Sequence, residues 1–196
     1  ELKRKKLGLE KFRRFDLYAP IQAGKEKSIP YDTAVKTVLS CYEQFSPRFA
    51  EAAKSIVRAN NIHSRLQKNK QSGAFCCGVT RDSLPYVLLN YTGLSRDVST
   101  LAHELGHGVH HVLASAQTEF TQQACLPLSE TASIFGEMLY TEHMKQENPR
   151  KAKELLFYKL DDLYASIIRQ AGFVRFEIKA HEMMREGKTI EQMSKV

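Results

Sequence analysis

One stretch constrains this chain more than any other: "SRDVSTLAHELGHGVHHVLAS", residues 95–115. Val98, Leu101, Ala102, Leu105, Val109, Val112 and Leu113 recur at helical spacing, which predicts one largely buried helix. Ser95 reads as its N-cap and Asp97 as an acid in its first turn. His103 and His107 lie four residues apart, so they share a face, about 40° apart around the axis. Two histidines and a glutamate inside a buried helix need partners or a metal. A hydrogen-bonded pair of core histidines is the structural alternative. His-Glu-x-x-His has a mechanical meaning, however: two imidazoles can meet one tetrahedral zinc ion, and Glu104 stands beside them to act on a water in an open position.

A catalytic zinc needs a third protein ligand. "PLSETASIFGEMLY" (127–140) predicts a helix starting near Ser129, with Glu130 and Glu137 on one side and Ala132, Ile134, Phe135, Met138 and Leu139 around them. Two carboxylates in that setting are costly unless paired or metal-bound. Glu130 as a ligand, with Glu137 accepting the other N–H of a ligand histidine, satisfies both. Two surface glutamates are the plainer account. His110 and His111 lie further along the first helix and cannot all reach the same ion. They are candidate substrate-facing groups, or ordinary surface histidines. A metzincin would carry glycine at 110 and histidine at 113; His110 and Leu113 exclude that class.

The rest of the chain reads as mainly helical. With 196 residues, 42% hydrophobic and 26% charged, it has the composition of a soluble globular protein. No apolar run approaches a membrane span, and the basic start "ELKRKKLGLEKF" lacks the apolar core of a signal peptide. The net charge of +7 is concentrated in residues 3–14, where a solvated helix face is preferred over a nucleic-acid contact, since no nucleic-acid-binding motif accompanies it. Cys41, Cys76, Cys77 and Cys125 form no CxxC pair and read as reduced, buried thiols of a cytoplasmic protein.

Leu2, Leu9, Phe12 and Phe15 suggest a helix over 1–15, broken by "DLYAP" and followed by a loop, "QAGKEKSIPY". Asp32 is a candidate cap for a helix with the stripe Val35, Val38, Leu39, Tyr42 and Phe45. Ser46-Pro47 begins another, to about Ala59, with Asn60-Asn61 ending it. Residues 73–79 and 86–91 are rich in strand formers and predict a β-hairpin. A long helix is expected over 149–186, ending at Gly187. Thr189 and Gln192 then form a capping-box pattern only a few residues before Val196. That late start, and the absence of an initiator methionine, suggest a piece of a longer protein.

"NYTGLSRDVSTLAHELGHGVHH" followed by "PLSETASIFGEML" resembles the M3 metallopeptidases, the thimet oligopeptidase and oligoendopeptidase F family. "FDLYAP", "SGAF" and "PYVLLNY" resemble its oligoendopeptidase F branch in particular. The resemblance implies a mainly α, helical zincin-type catalytic lobe, with a small β-hairpin or sheet before the His-Glu-x-x-His helix. On that basis residues 1–196 are part of one catalytic domain: 1–60 helical, 73–91 the hairpin, 95–196 the motif helix and those after it. It implies one Zn²⁺ per chain on His103, His107 and Glu130, with Glu104 as general base and Glu137 in support. The activity implied is zinc-dependent endopeptidase cleavage of short oligopeptides by a metal-activated water. The family's N-terminal lobe, and a later segment whose histidine and tyrosines bind substrate, have no counterpart here; Tyr86 and Tyr91 do not match those tyrosines. Expected partners are an oligopeptide substrate, no nucleic acid and no membrane, with the oligomeric state open. A non-catalytic zinc-binding or interaction fragment is the alternative, although an intact Glu104 has no use in a purely structural site.

Overall fold

The computed structural model describes residues 1–19 and 27–194. Residues 20–26 of the expected loop and the last two residues of the chain lie outside that description. The described chain is mainly helical, with a three-stranded sheet ahead of the motif helix. It falls into two compact units, Glu1–His143 and Met144–Val196. No helix among the described residues is long and apolar enough to cross a membrane.

The N-terminal helix is shorter than expected. Helix α1 covers only Leu2–Lys6, and a separate 3₁₀ turn spans Arg14–Tyr18. Gly8 stops α1 by taking φ +67°, which costs a glycine little and side-chain-bearing residues more. Part of the basic run has local work to do. Lys3 Nζ donates to the Leu17 carbonyl at 2.6 Å, and Arg4 donates to the carbonyls of Leu9 and Glu10 at 3.0 Å each.

Helix α2 (Tyr31–Phe45) begins two residues earlier than a cap at Asp32 would place it. Pro30 takes the N-cap position and Asp32 lies in the first turn, where a carboxylate favours the helix dipole. Val35, Val38 and Tyr42 are buried, together with Ala34 and Cys41; Phe45, from the expected stripe, is exposed. Helix α3 (Pro47–Arg58) starts as predicted, with Ser46 Oγ accepting from Phe49 N–H and Pro47 at the first helical position. Asn60 ends it at φ 54°.

The hairpin is present. Strands β2 (Phe75–Cys77) and β3 (Tyr86–Leu88) pair antiparallel, with Cys76 opposite Val87. The sheet also has a third member, β1 (Ile62–His63), parallel to β3 with Ile62 opposite Val87. A two-residue strand is too short to show alternation, so β1 left no trace in the pattern. The order β1-β3-β2 leaves β2 at an edge.

Helix α4 spans Ser95–Ala114. Its N-cap is Leu94 rather than Ser95, which is already helical and buried. Asp97 closes the end from within: its Oδ2 accepts from Thr92 N–H at 2.7 Å, Thr92 Oγ1 at 2.6 Å and Leu94 N–H at 3.1 Å. Helix α5 spans Leu126–Glu147, starting three residues before Ser129.

In the second unit the expected single helix is three consecutive pieces. These are α6 (Pro149–Tyr164), a π-helical segment (Ala165–Arg169) and α7 (Gln170–Arg185). Gly187, at φ 72°, ends the run, and α8 (Ile190–Met193) opens on the predicted Thr189–Gln192 capping box.

The cysteines correct the expectation of four buried thiols. All four are free, but only Cys41 is buried; Cys76 is half-buried, and Cys77 and Cys125 are exposed. Burial pushes the Cys41 thiol up to about 11 and the Cys76 thiol up to about 12, the latter with help from the Glu104 charge. The thiolate is the reactive form, so the native chain near neutral pH is expected to show two fast-alkylating thiols, Cys77 and Cys125. The other two should react only on unfolding. A time-resolved thiol titration with and without denaturant checks this, and four equally fast thiols would contradict it.

Candidate metal centre

The site is built where α4 crosses α5. Helical spacing puts His103 and His107 on one face of α4, their ring centroids 4.9 Å apart. Close approach of the two helices does the rest. A Cβ on Gly106 would lie 2.6 Å from the Ala132 carbonyl oxygen and 2.8 Å from Ser133 Cα. A Cβ on Gly136 would lie 2.5 Å from Tyr42 Oη and 2.6 Å from the Ala102 carbonyl oxygen. Such contacts are too short for any side chain, so the backbones can touch here only at glycine. Tyr42, fully buried, locks the crossing by donating its hydroxyl to the Ala102 carbonyl at 2.5 Å.

That crossing brings two carboxylates of α5 to the histidines of α4. Glu130 Oε2 lies 3.4 Å from His103 Nε2 and 3.6 Å from His107 Nε2. Glu137 Oε1 accepts from His103 Nδ1 at 2.5 Å. With its proton held on Nδ1, the His103 ring turns the lone pair of Nε2 toward Glu130. One ligand atom from each of His103, His107 and Glu130 lies within 4.8 Å of the others. In a tetrahedral site with bonds of about 2.0–2.1 Å, neighbouring donors sit roughly 3.4 Å apart. The Glu130 separations match that edge, so two imidazole nitrogens and a carboxylate oxygen form a cluster that could hold a metal ion. It is the one such cluster found among the described residues.

Glu104 is 6% exposed on the same helix. Burial pushes its carboxyl up to about 7; the His103 charge opposes this, while Glu130 and Glu137 add to it. Burial pulls the His103 imidazole down, but Glu137, with Glu104 and Glu130, leaves it raised overall. Burial lowers His107, with Glu130 opposing. The cluster therefore couples one half-exposed carboxylate (Glu130), one partly buried (Glu137), one buried (Glu104) and two imidazoles within a few ångströms.

His110 and His111 stand outside the donor cluster. By sequence His111 is a candidate to face a substrate; in the structure its Nε2–H donates to the carbonyls of Thr80 and Ser83, each at 3.2 Å. The ring lies against Gly78, where a Cβ would come within 2.0 Å of Nδ1. His111 thus ties the end of α4 to the turn between β2 and β3. His110 is half-buried, and its charge acts on His107 by lowering it. Sequence reasoning missed Tyr42 and Ser133 at the crossing. The available signal was glycine at 106 and 136, inside otherwise strong helical patterns, where glycine costs about 1 kcal/mol and so points to close approach.

The model for Peptidase family M3 matches residues 1–196. The chain belongs to that family. Within it the resemblance runs to the oligoendopeptidase F branch. Oligoendopeptidase F (chromosomal) of Lactococcus lactis subsp. cremoris is 29% identical over 97% of this chain and 32% of its own length. Group B oligopeptidase PepB of Streptococcus agalactiae is 28% identical over 97% of this chain and 32% of its own. A crystal structure from Chlamydophila abortus superposes with a TM-score of 0.74 at 32% identity, over 95% of this chain and 31% of that one. One from Bacillus anthracis reaches a TM-score of 0.78 at 19% identity, over 99% of this chain and 36% of that one, a likeness of fold alone. This M3 chain spans about a third of the length of the curated relatives it matches.

Proposed function

We propose that this chain carries the zinc centre and general base of an endopeptidase that hydrolyses short oligopeptides. The reading rests on the convergence of His103, His107 and Glu130 beside a buried Glu104, in a chain matched along its whole length by Peptidase family M3. His103 and His107 would hold the ion through Nε2 and Glu130 through Oε2, leaving a fourth tetrahedral position open. When bound, zinc supplies Lewis acidity, which makes water a nucleophile near neutral pH and polarises a carbonyl.

The chain's own groups do the remaining work. Glu104 takes a proton from the attacking water and hands it to the leaving amine. Its carboxyl, pushed up to about 7 by burial, is balanced between those two tasks. Glu137 holds the His103 ring in the tautomer that presents Nε2. Strand β2, at the sheet edge, has main-chain groups on its outer side that suit pairing with an extended peptide. Oligopeptides as substrates follow the names of the relatives, oligoendopeptidase F and oligopeptidase PepB.

Elemental analysis of the dialysed chain should find about one zinc per chain, as a single three-ligand site requires. Hydrolysis of a quenched fluorescent oligopeptide should be lost on chelation and return with added zinc. Absence of zinc after incubation with excess metal would overturn the proposal. Zinc without hydrolysis would reduce the chain's role to metal binding, with cleavage requiring more of the length its relatives possess.

A further inference from the structure

We infer that Ser133 is a positioning residue for Glu130, an inference that rests on reading Glu130 as a metal ligand. Ser133 is fully buried at the point where α5 meets Gly106. Its hydroxyl oxygen lies 2.9 Å from Glu130 Oε2 and 3.0 Å from the Glu130 main-chain carbonyl oxygen. Oε2 is the same atom that faces both imidazoles. The side chain of Glu130 is 50% exposed, so packing alone leaves it free to leave the cradle. A glutamate fixed in one rotamer gives up side-chain entropy, and something must hold it there.

Ser133 is suited to do so because it cannot move. Its Cα is clamped against α4 by the Gly106 contact, and a buried hydroxyl must find a protein acceptor. Three residues along a helix, it lies on the same face as Glu130. A carboxylate oxygen has two lone pairs, so Oε2 can take the serine proton with one and offer the other to a metal. The competing role is purely local. Serine in a helix often bonds back to a carbonyl of the preceding turn, and that bond alone would satisfy the hydroxyl. The two roles differ in whether Ser133 acts through the Glu130 side chain.

A double-mutant cycle on zinc affinity separates them. The dissociation constant would be measured by competition with a chromophoric chelator for the unaltered chain, Ser133→Ala, Glu130→Ala and the double variant. Loss of such an outer hydrogen bond typically weakens metal binding about 10–100-fold, and Ser133→Ala should do the same. With Glu130 already alanine, removing the hydroxyl should change nothing further. Melting the metal-free chains alongside shows whether each variant is folded. Unchanged affinity in Ser133→Ala would overturn the inference, and so would an equal loss in both backgrounds, which marks a role in helix packing. Glu130→Ala binding zinc as tightly as the unaltered chain would instead remove Glu130 as a ligand, and the role of Ser133 with it.

Discussion

Replacing Glu104 by glutamine is expected to lower peptide hydrolysis by a factor on the order of 10²–10⁴, the usual contribution of a positioned proton-transfer group, while zinc stays bound. Glutamine keeps the shape of the side chain but cannot take up a proton near neutral pH. Its amide is neutral, and burial at this position already favours a neutral side chain, so the fold should not suffer. Glu104 is absent from the three-residue cluster of candidate donors, which is why metal content should hold. The comparison needs two measurements on the same preparations: zinc per chain and the initial rate on a quenched oligopeptide. Retained cleavage would place the base elsewhere. Loss of zinc together with cleavage would make Glu104 part of the metal cradle.

Gly136→Ala should be the most damaging small change to the fold near the site. Inside an ordinary helix this substitution stabilises by up to about 1 kcal/mol. Here the new methyl would sit 2.5 Å from Tyr42 Oη and 2.6 Å from the Ala102 carbonyl oxygen. Neither neighbour can yield cheaply: the carbonyl belongs to the α4 backbone, and the two atoms are hydrogen-bonded to each other. Overpacking of this kind costs roughly 1–3 kcal/mol, and stranding the buried hydroxyl and carbonyl adds about as much again. Spreading α5 from α4 would also draw Glu137 and Glu130 away from the histidines, so zinc affinity should fall with stability. Gly172→Ala in α7 is the matched control, since nothing lies within 4 Å of its would-be Cβ. Denaturant unfolding should therefore show opposite signs for the two alanines. Equal effects would mean that the crossing relaxes and does not depend on glycine contact.

What could be read along the chain was whatever local geometry dictates. The helical period alone puts His103 and His107 on one face. Ser46-Pro47 and the Thr189–Gln192 box announce helix starts because capping depends on residues within one turn. Ser95 misled because serine is a favoured N-cap residue whatever the chain does around it. The cap is Leu94: Ser95 is buried inside the helix, and Asp97, in the first turn as expected, reaches back to Thr92 and Leu94. The helix expected over 1–15 failed for a related reason: exposed apolar residues such as Leu2 and Phe15 give a helical period without a core to pack against.

The sequence by itself determined which chemistry was available: two imidazoles and a carboxylate on one helix, and two more carboxylates on the next. Their convergence was decided by the tertiary structure. Glu130 is brought to 3.4 Å from His103, and Glu137 to 2.5 Å, only because Gly106 and Gly136 let two backbones meet and Tyr42 pins them. Ser133 owes its place against Glu130 Oε2 to the same contact. The reason is physical: periodicity reports which face of a helix a residue occupies, whereas the distance between two helices depends on what both present at one crossing. That distance is a property of the pair and is written in neither segment alone.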